Sequence, residues 1–219
     1  PSTNKEGQKM KKRKFCIALG LLAAFILWTI AISLIDVQPI GPQGSIVGFA
    51  TLNSFVHNLT GTHMTLYVIT DWLGLVPLGV ALAFAIMGLC QWCRRKHILK
   101  VDYSILALGV YYIVVMAVYI LFEIVEINYR PILINGYLET SYPSSTTMLV
   151  MCVMPTAMLQ LRARIKNSVF RRCVMIAIAA FTAFMVIGRL LSGVHWLTDI
   201  VGGVLLSAGL VAMYAAVER

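Results

Sequence analysis

The chain predicts an all-α fold: one bundle of six membrane-spanning helices, with the N- and C-termini both cytoplasmic. Three observations carry that reading. Of 219 residues, 59% are hydrophobic and 12% charged, and the mean hydropathy is +0.83, too apolar for a soluble domain of this size. The apolar residues collect into six runs, each near the roughly 20 residues that a spanning helix needs. All but two of the 18 Lys and Arg residues fall on one side once those runs are taken as spans.

The runs are Phe15 to Ile35, Leu73 to Cys93, Tyr103 to Phe122, Thr146 to Leu161, Cys173 to Leu191 and Trp196 to Val217. The fourth is the shortest, and Pro155 is expected to kink it. A membrane β-barrel is disfavoured, because its strands show as alternating segments of about 10 residues rather than continuous apolar runs. The first run is too long for the apolar core of a signal peptide, and no small-residue cleavage pattern follows it. Residues 15–219 therefore read as a single six-helix domain and residues 1–14 as a basic cytoplasmic tail. Residues 1–9 are either disordered or foreign to the natural chain.

Orientation follows from the bases. Lys5, Lys9, Lys11, Lys12, Arg13 and Lys14 precede the first run; Arg94, Arg95, Lys96 and Lys100 follow the second. Arg162, Arg164, Lys166, Arg171 and Arg172 join the fourth to the fifth, and Arg219 ends the chain. The positive-inside rule places these segments in the cytoplasm. The net charge of +9 is thus a topology signal, with attraction to anionic lipid a secondary effect, and nucleic-acid binding is the weaker account of it.

The five cysteines, Cys16, Cys90, Cys93, Cys152 and Cys173, lie within or at the cytoplasmic ends of the runs, so no disulfide framework is expected. Cys90 and Cys93 form a C-x-x-C, for which helix packing is preferred over a redox pair or half a zinc site. In the long outer connection, residues 36–72, Phe49, Leu52, Val56 and Leu59 recur at helical spacing. That pattern predicts an amphipathic surface helix, either a lid with a lipid-access wall or a plain cap. Asn58 to Thr60 is a glycosylation sequon, a match common by chance.

The two bases off the cytoplasmic side are Arg130 and Arg189, and both stand at outward-facing ends of runs. Near them lie Glu123 and Glu126, then Tyr142, Pro143, Ser144, Ser145, Thr146 and Thr147, and finally His195 with Asp199 four residues on. A helix N-terminus preceded by Pro and Ser offers unpaired amides to a phosphate oxygen. Arginine adds fork-like contacts. His195 and Asp199 share a helix face, so the carboxylate can hold one ring nitrogen and free the other as nucleophile or base. Blander readings remain beside this one: a Glu126–Arg130 salt bridge, a structural His–Asp pair and an Arg189 that snorkels to the interface.

Arg130-Pro131, the Pro143-Ser144-Ser145-Thr146 run, and Arg189, His195 and Asp199 at their spacing together resemble the three signature segments of the type 2 phosphatidic acid phosphatase (PAP2) superfamily. The resemblance covers the six-span layout and, in motif detail, roughly the C-terminal half. It implies a membrane lipid phosphatase with His195 as the nucleophile that forms a phosphohistidine and Asp199 as its orienter. Arg130, Arg189, Ser144 and Ser145 become phosphate binders, and no metal or other cofactor is implied. A metal site using His57, His63, His195, Asp71 or Asp199 lacks close ligand spacing. The implied partner is a phosphorylated lipid, of the polyprenyl diphosphate, phosphatidic acid or phosphatidylglycerol phosphate type. A site on the outer face of a bacterial plasma membrane would suit recycling of a carrier such as undecaprenyl pyrophosphate.

Four positions, in three segments, depart from the family pattern, one of them Ser145, where the family has a Gly. In addition, Glu123 stands where it has a Lys, Gly188 where it has a Ser, and Thr146 where it has the His that serves as general acid. A lipid alkoxide leaves badly without a proton, whereas a diphosphate departs as a stabilised anion, so a lipid diphosphate tolerates Thr146 best. Glu123 or Glu126 becomes a surrogate acid if burial raises its pKa. The second reading is a relative with its acid removed, by divergence or by design, that binds or transports a phosphorylated lipid.

Overall fold

The computed structural model describes residues 2–218; Arg219, one of the counted bases, lies outside them. Eight α-helices run in order: α1 (Ser2–Leu34), α2 (Ala50–Thr60), α3 (Met64–Leu73), α4 (Leu75–Arg95), α5 (Tyr103–Ile124), α6 (Ser145–Arg164), α7 (Ser168–Leu191) and α8 (Leu197–Val217). Among the described residues there are isolated β-bridges but no strand. Six helical units are long and apolar enough to cross a membrane, and each overlaps a run read from the sequence.

The boundaries differ instructively. The basic tail is not disordered but continues the helix of the first span, and α1 is helical from Ser2. The second span begins at Met64, because Gly74 keeps helical dihedrals between α3 and α4 and its N–H donates to the carbonyls of Thr70 and Asp71 at 3.0 Å each. α6 runs unbroken through Pro155 and is longer at both ends than the fourth run.

α6 and α8 form the centre: half of the most apolar window of each is buried, against 22% at most for the other spans. α8 packs chiefly against α1 and α6. Tyr142, just before α6, stacks on Phe25 of α1 with ring centroids 6.2 Å apart, and its hydroxyl lies 2.6 Å from Thr29 Oγ1. The basic segments gather at one end of the bundle. There Lys14 Nζ donates to the Ala215 carbonyl at 3.1 Å, Arg164 to Ser104 Oγ at 3.3 Å, and Gln160 to Glu218 at 3.0 Å.

The α2 helix forms where periodicity placed it, but its apolar stripe is not the face turned inward. Ala50 and Asn53 are buried while Leu52, Phe55 and Leu59 are exposed. Asn53 donates to the Gly48 carbonyl at 2.8 Å and Thr198 Oγ1 at 2.9 Å, and its own oxygen accepts from Thr198 N at 3.3 Å. These bonds, not the apolar stripe, fix the face that α2 turns to the protein. Cys90 and Cys93 likewise point outward as free, exposed thiols, so they do not pack inside the bundle; Cys152 is the buried cysteine.

Candidate functional site

The three motif segments meet at the end of the bundle opposite the bases. The chain turns sharply between α7 and α8, where Gly193 adopts φ +69 and a Cβ would sit 2.0 Å from the Gly61 carbonyl oxygen. That turn aims His195 inward. Asp199, in the first turn of α8, accepts from the Trp196 N–H at 2.9 Å through Oδ2 and from Asn128 Nδ2 at 3.3 Å through Oδ1. Asn128 also takes the Gly48 N–H on its side-chain oxygen at 3.3 Å and the Ser141 N–H on its carbonyl at 2.8 Å. One buried amide thus joins the outer loop, the segment before α6 and the start of α8.

His195 is 3% exposed. Its Nδ1 lies 3.1 Å from the Ser141 carbonyl, an obligate acceptor, so Nδ1 carries the proton and Nε2 the lone pair. Asp199 Oδ2 is 3.7 Å from Nδ1, too far for a hydrogen bond. The expectation that Asp199 holds the ring directly is therefore corrected: the backbone of Ser141 holds it, and Asp199 caps the helix and lends charge at one remove. Burial pushes the imidazole pKa well below its ordinary value, with Arg130 and then Arg189 pushing the same way and the Ser141 bond opposing them. The ring is neutral at pH 7.

Arg189 is 1% exposed and so does not snorkel. Its Nη2 lies 3.4 Å from His195 Nε2, its Nη1 donates to Thr70 Oγ1 at 3.4 Å, and its guanidinium carbon lies 5.0 Å from the Tyr67 ring centroid. Asp71, 3.7 Å away, is largely exposed and offsets little of that charge. A Cβ on Gly188 would come 2.9 Å from Thr70 Cγ2, so glycine here lets α3 approach α7 closely.

Arg130 is not on a helix. α5 ends at Ile124, and the following segment folds back so that Tyr129 and Thr140 form an antiparallel bridge. The alternative of a Glu126–Arg130 pair is thereby replaced by an Arg130–Glu139 contact, with Nε 3.1 Å from Oε2. That oxygen lies off the N–H direction, and Arg130 Nε and Nη1 make no hydrogen bond among the described residues. Arg189 Nε, Ser144 Oγ and Thr147 Oγ1 are also buried with no hydrogen-bond partner among the described residues.

Arg130, Ser145, His195, Glu123, Glu126 and Glu139 line a cavity of ≈ 320 Å³. Ser144 lies beside α8 instead, its N–H donating to the Asp199 carbonyl at 3.1 Å. Thr146 is not on the cavity wall; its methyl lies 3.5 Å from the place a Cβ on Gly74 would take. Glu123 and Glu126 are exposed, and Glu126 accepts from the Tyr129 hydroxyl, so the burial invoked for a surrogate acid is absent. Sequence reasoning missed Asn128, Ser141, Glu139, Thr70 and Tyr67. No motif marks them, because their roles come from contacts between segments far apart in sequence.

Residues 114–219 match the family model of the PAP2 superfamily. Among solved structures, the chain is similar to the first transmembrane PAP2 type phosphatidylglycerolphosphate phosphatase from Bacillus subtilis, at 18% identity over 90% of this chain and 94% of that one, with a TM-score of 0.55. No curated protein matches.

Proposed function

The chain belongs to the PAP2 superfamily, and from that premise we propose that it is a membrane lipid phosphatase that removes phosphate from a phosphate ester or diphosphate of a lipid through a phosphohistidine at His195. The single observation that carries the proposal is the set of buried guanidinium donors beside a neutral histidine: among the described residues Arg130 Nη1 and Arg189 Nε make no hydrogen bond, Arg130 Nε meets Glu139 only in an ion pair at 3.1 Å, and the His195 lone pair lies 3.4 Å from Arg189. Buried donors rarely go unpaired. Phosphoryl oxygens supply the missing acceptors.

In the proposed first step, Nε2 attacks phosphorus as the bond to the leaving oxygen breaks. The Ser141 carbonyl keeps the proton on Nδ1, and Asp199, 3.7 Å away, steadies the positive charge that develops on the ring. The two guanidinium groups neutralise the transferring phosphoryl group. Water then attacks the phosphohistidine, releasing inorganic phosphate and restoring Nε2. With Thr146 at the acid position and turned toward Gly74, the leaving group departs best when it is already a stable anion. A lipid diphosphate, which leaves as a lipid monophosphate, is the preferred substrate class; undecaprenyl pyrophosphate fits that class. The site would face outward from a bacterial plasma membrane, with the basic end in the cytoplasm.

The same Thr146 placement supports a second reading, a lipid-phosphate binder that turns over slowly or not at all. Phosphate release from a polyprenyl diphosphate and from phosphatidic acid, by the detergent-solubilised protein and by His195→Ala, separates the two. Release abolished by His195→Ala supports the phosphatase. No release from the unmodified protein, with saturable lipid binding that needs Arg130 and Arg189, supports the binder.

A further inference from the structure

A second feature, at the other end of the molecule, is independent of the phosphatase site. Between α6, α7 and α8 runs an apolar groove of ≈ 750 Å³ at the basic end. It continues into a second hollow of ≈ 490 Å³ that shares Met151, Pro155 and Met158 with it and reaches Ile187. Ala208 and Ala212 of α8 keep it open. From Arg172 to Ile187 along α7 is about 22 Å at helical rise, the reach of a long acyl chain.

The rim of this groove is cationic. Arg162, Arg171 and Arg172 all line its basic end. Arg171 is fixed by donating to the Ile165 carbonyl at 3.2 Å. Arg162 and Arg172 are exposed, and no hydrogen bond or ion pair to another described residue engages them. No Asp or Glu occurs anywhere between Glu139 and Asp199, so α6 and α7, which carry the rim arginines, bring no counter-charge of their own, and Glu218 at the end of α8 accepts from Gln160 at 3.0 Å. Unneutralised guanidinium groups at the mouth of a lipid-length apolar groove match a phosphate attached to hydrocarbon chains.

We propose that this groove binds one anionic diacyl phospholipid from the leaflet at the basic end, its phosphate on Arg162 and Arg172 and an acyl chain laid over Ala212 and Ala208. The full-length protein is reconstituted into nanodiscs holding equal phosphatidylglycerol and phosphatidylcholine, and lipids retained on release are counted by native mass spectrometry. One phosphatidylglycerol should be retained in preference to phosphatidylcholine. Arg162→Gln with Arg172→Gln should cut that retention roughly 25-fold, at about fivefold per arginine. Ala212→Phe, which fills the groove and leaves the charge alone, should reduce it as well, while Arg94→Gln with Arg95→Gln, an equal charge loss elsewhere on the basic end, should not. Equal retention of both lipids, equal loss in the two charge-matched double variants, or full retention in Ala212→Phe would each overturn the proposal.

Discussion

Replacing Arg189 by Gln should move the acid limb of the phosphatase pH profile toward neutrality. On the proposed mechanism the free enzyme reacts only with His195 unprotonated, so kcat/KM falls as pH drops through the imidazole pKa. That pKa is held well below its ordinary value by burial first, and by Arg130 and Arg189 after it. Arg189 Nη2 stands 3.4 Å from the ring nitrogen that would take the proton. Spreading the guanidinium charge to an effective separation of about 5 Å, with an effective dielectric of about 20, gives roughly 3 kcal/mol of repulsion against an imidazolium. The sign is fixed: removing a cation makes protonation easier, the pKa rises, and the limb moves to higher pH, by less than the bare repulsion would give once water enters the vacated space. Arg189→Lys keeps the charge and loses the fork, so its limb should stay in place while its turnover falls. The assay is phosphate release across a pH series at substrate well below KM. A limb that stays put in Arg189→Gln, or moves equally in Arg189→Lys, would refute the electrostatic account of the neutral nucleophile.

The remaining expectations are simpler. His195→Ala should abolish phosphate release while leaving saturable lipid binding intact, read by release and binding assays on the same preparation. Thr146→His should raise turnover of a lipid monophosphate far more than of a diphosphate, within the 10²- to 10⁴-fold that a general acid supplies; equal gains on both would remove the leaving-group argument for the substrate class. Asn53→Ala should cost about 1 to 3 kcal/mol of stability, seen as a lower thermal midpoint in detergent, because it strands the buried Gly48 carbonyl and Thr198 hydroxyl together.

The spans and the motif residues were legible because each depends on chain-local information. A run of apolar residues near 20 long needs nothing else to be read, and the third segment sits across a single turn, so the spacing of Arg189, His195 and Asp199 survives folding. What the sequence hid depends on where the chain returns. Glu126 and Arg130 are four apart and look like a helix pair, yet α5 ends at Ile124 and the segment pairs back on itself, delivering Glu139 instead. The acceptor for His195 is a backbone carbonyl, which no residue type advertises. The α2 stripe was legible as an amphipathic surface helix, but periodicity does not say which face meets the protein, and it is Asn53 that turns inward while Leu52 stays exposed.

The family motifs all lie in the C-terminal half, but the setting of Arg189 comes from α3, outside the matched residues 114–219. Thr70, Asp71 and Tyr67 are its neighbours there. The departure at Gly188 belongs to the same arrangement, since a Cβ at that position would meet the Thr70 methyl at 2.9 Å. Gly188→Ser therefore restores the family residue yet should push α3 away, loosen the Thr70 contact to Arg189 and slow phosphate release about tenfold, small misplacements of a phosphate ligand being costly. Thr70→Ser removes only the methyl and keeps the hydroxyl that accepts from Arg189, so alone it should be nearly silent. The double variant should recover most of the loss. Additive effects in that cycle would mean that glycine at 188 is indifferent to α3, and that the N-terminal half covers the site without positioning its arginine.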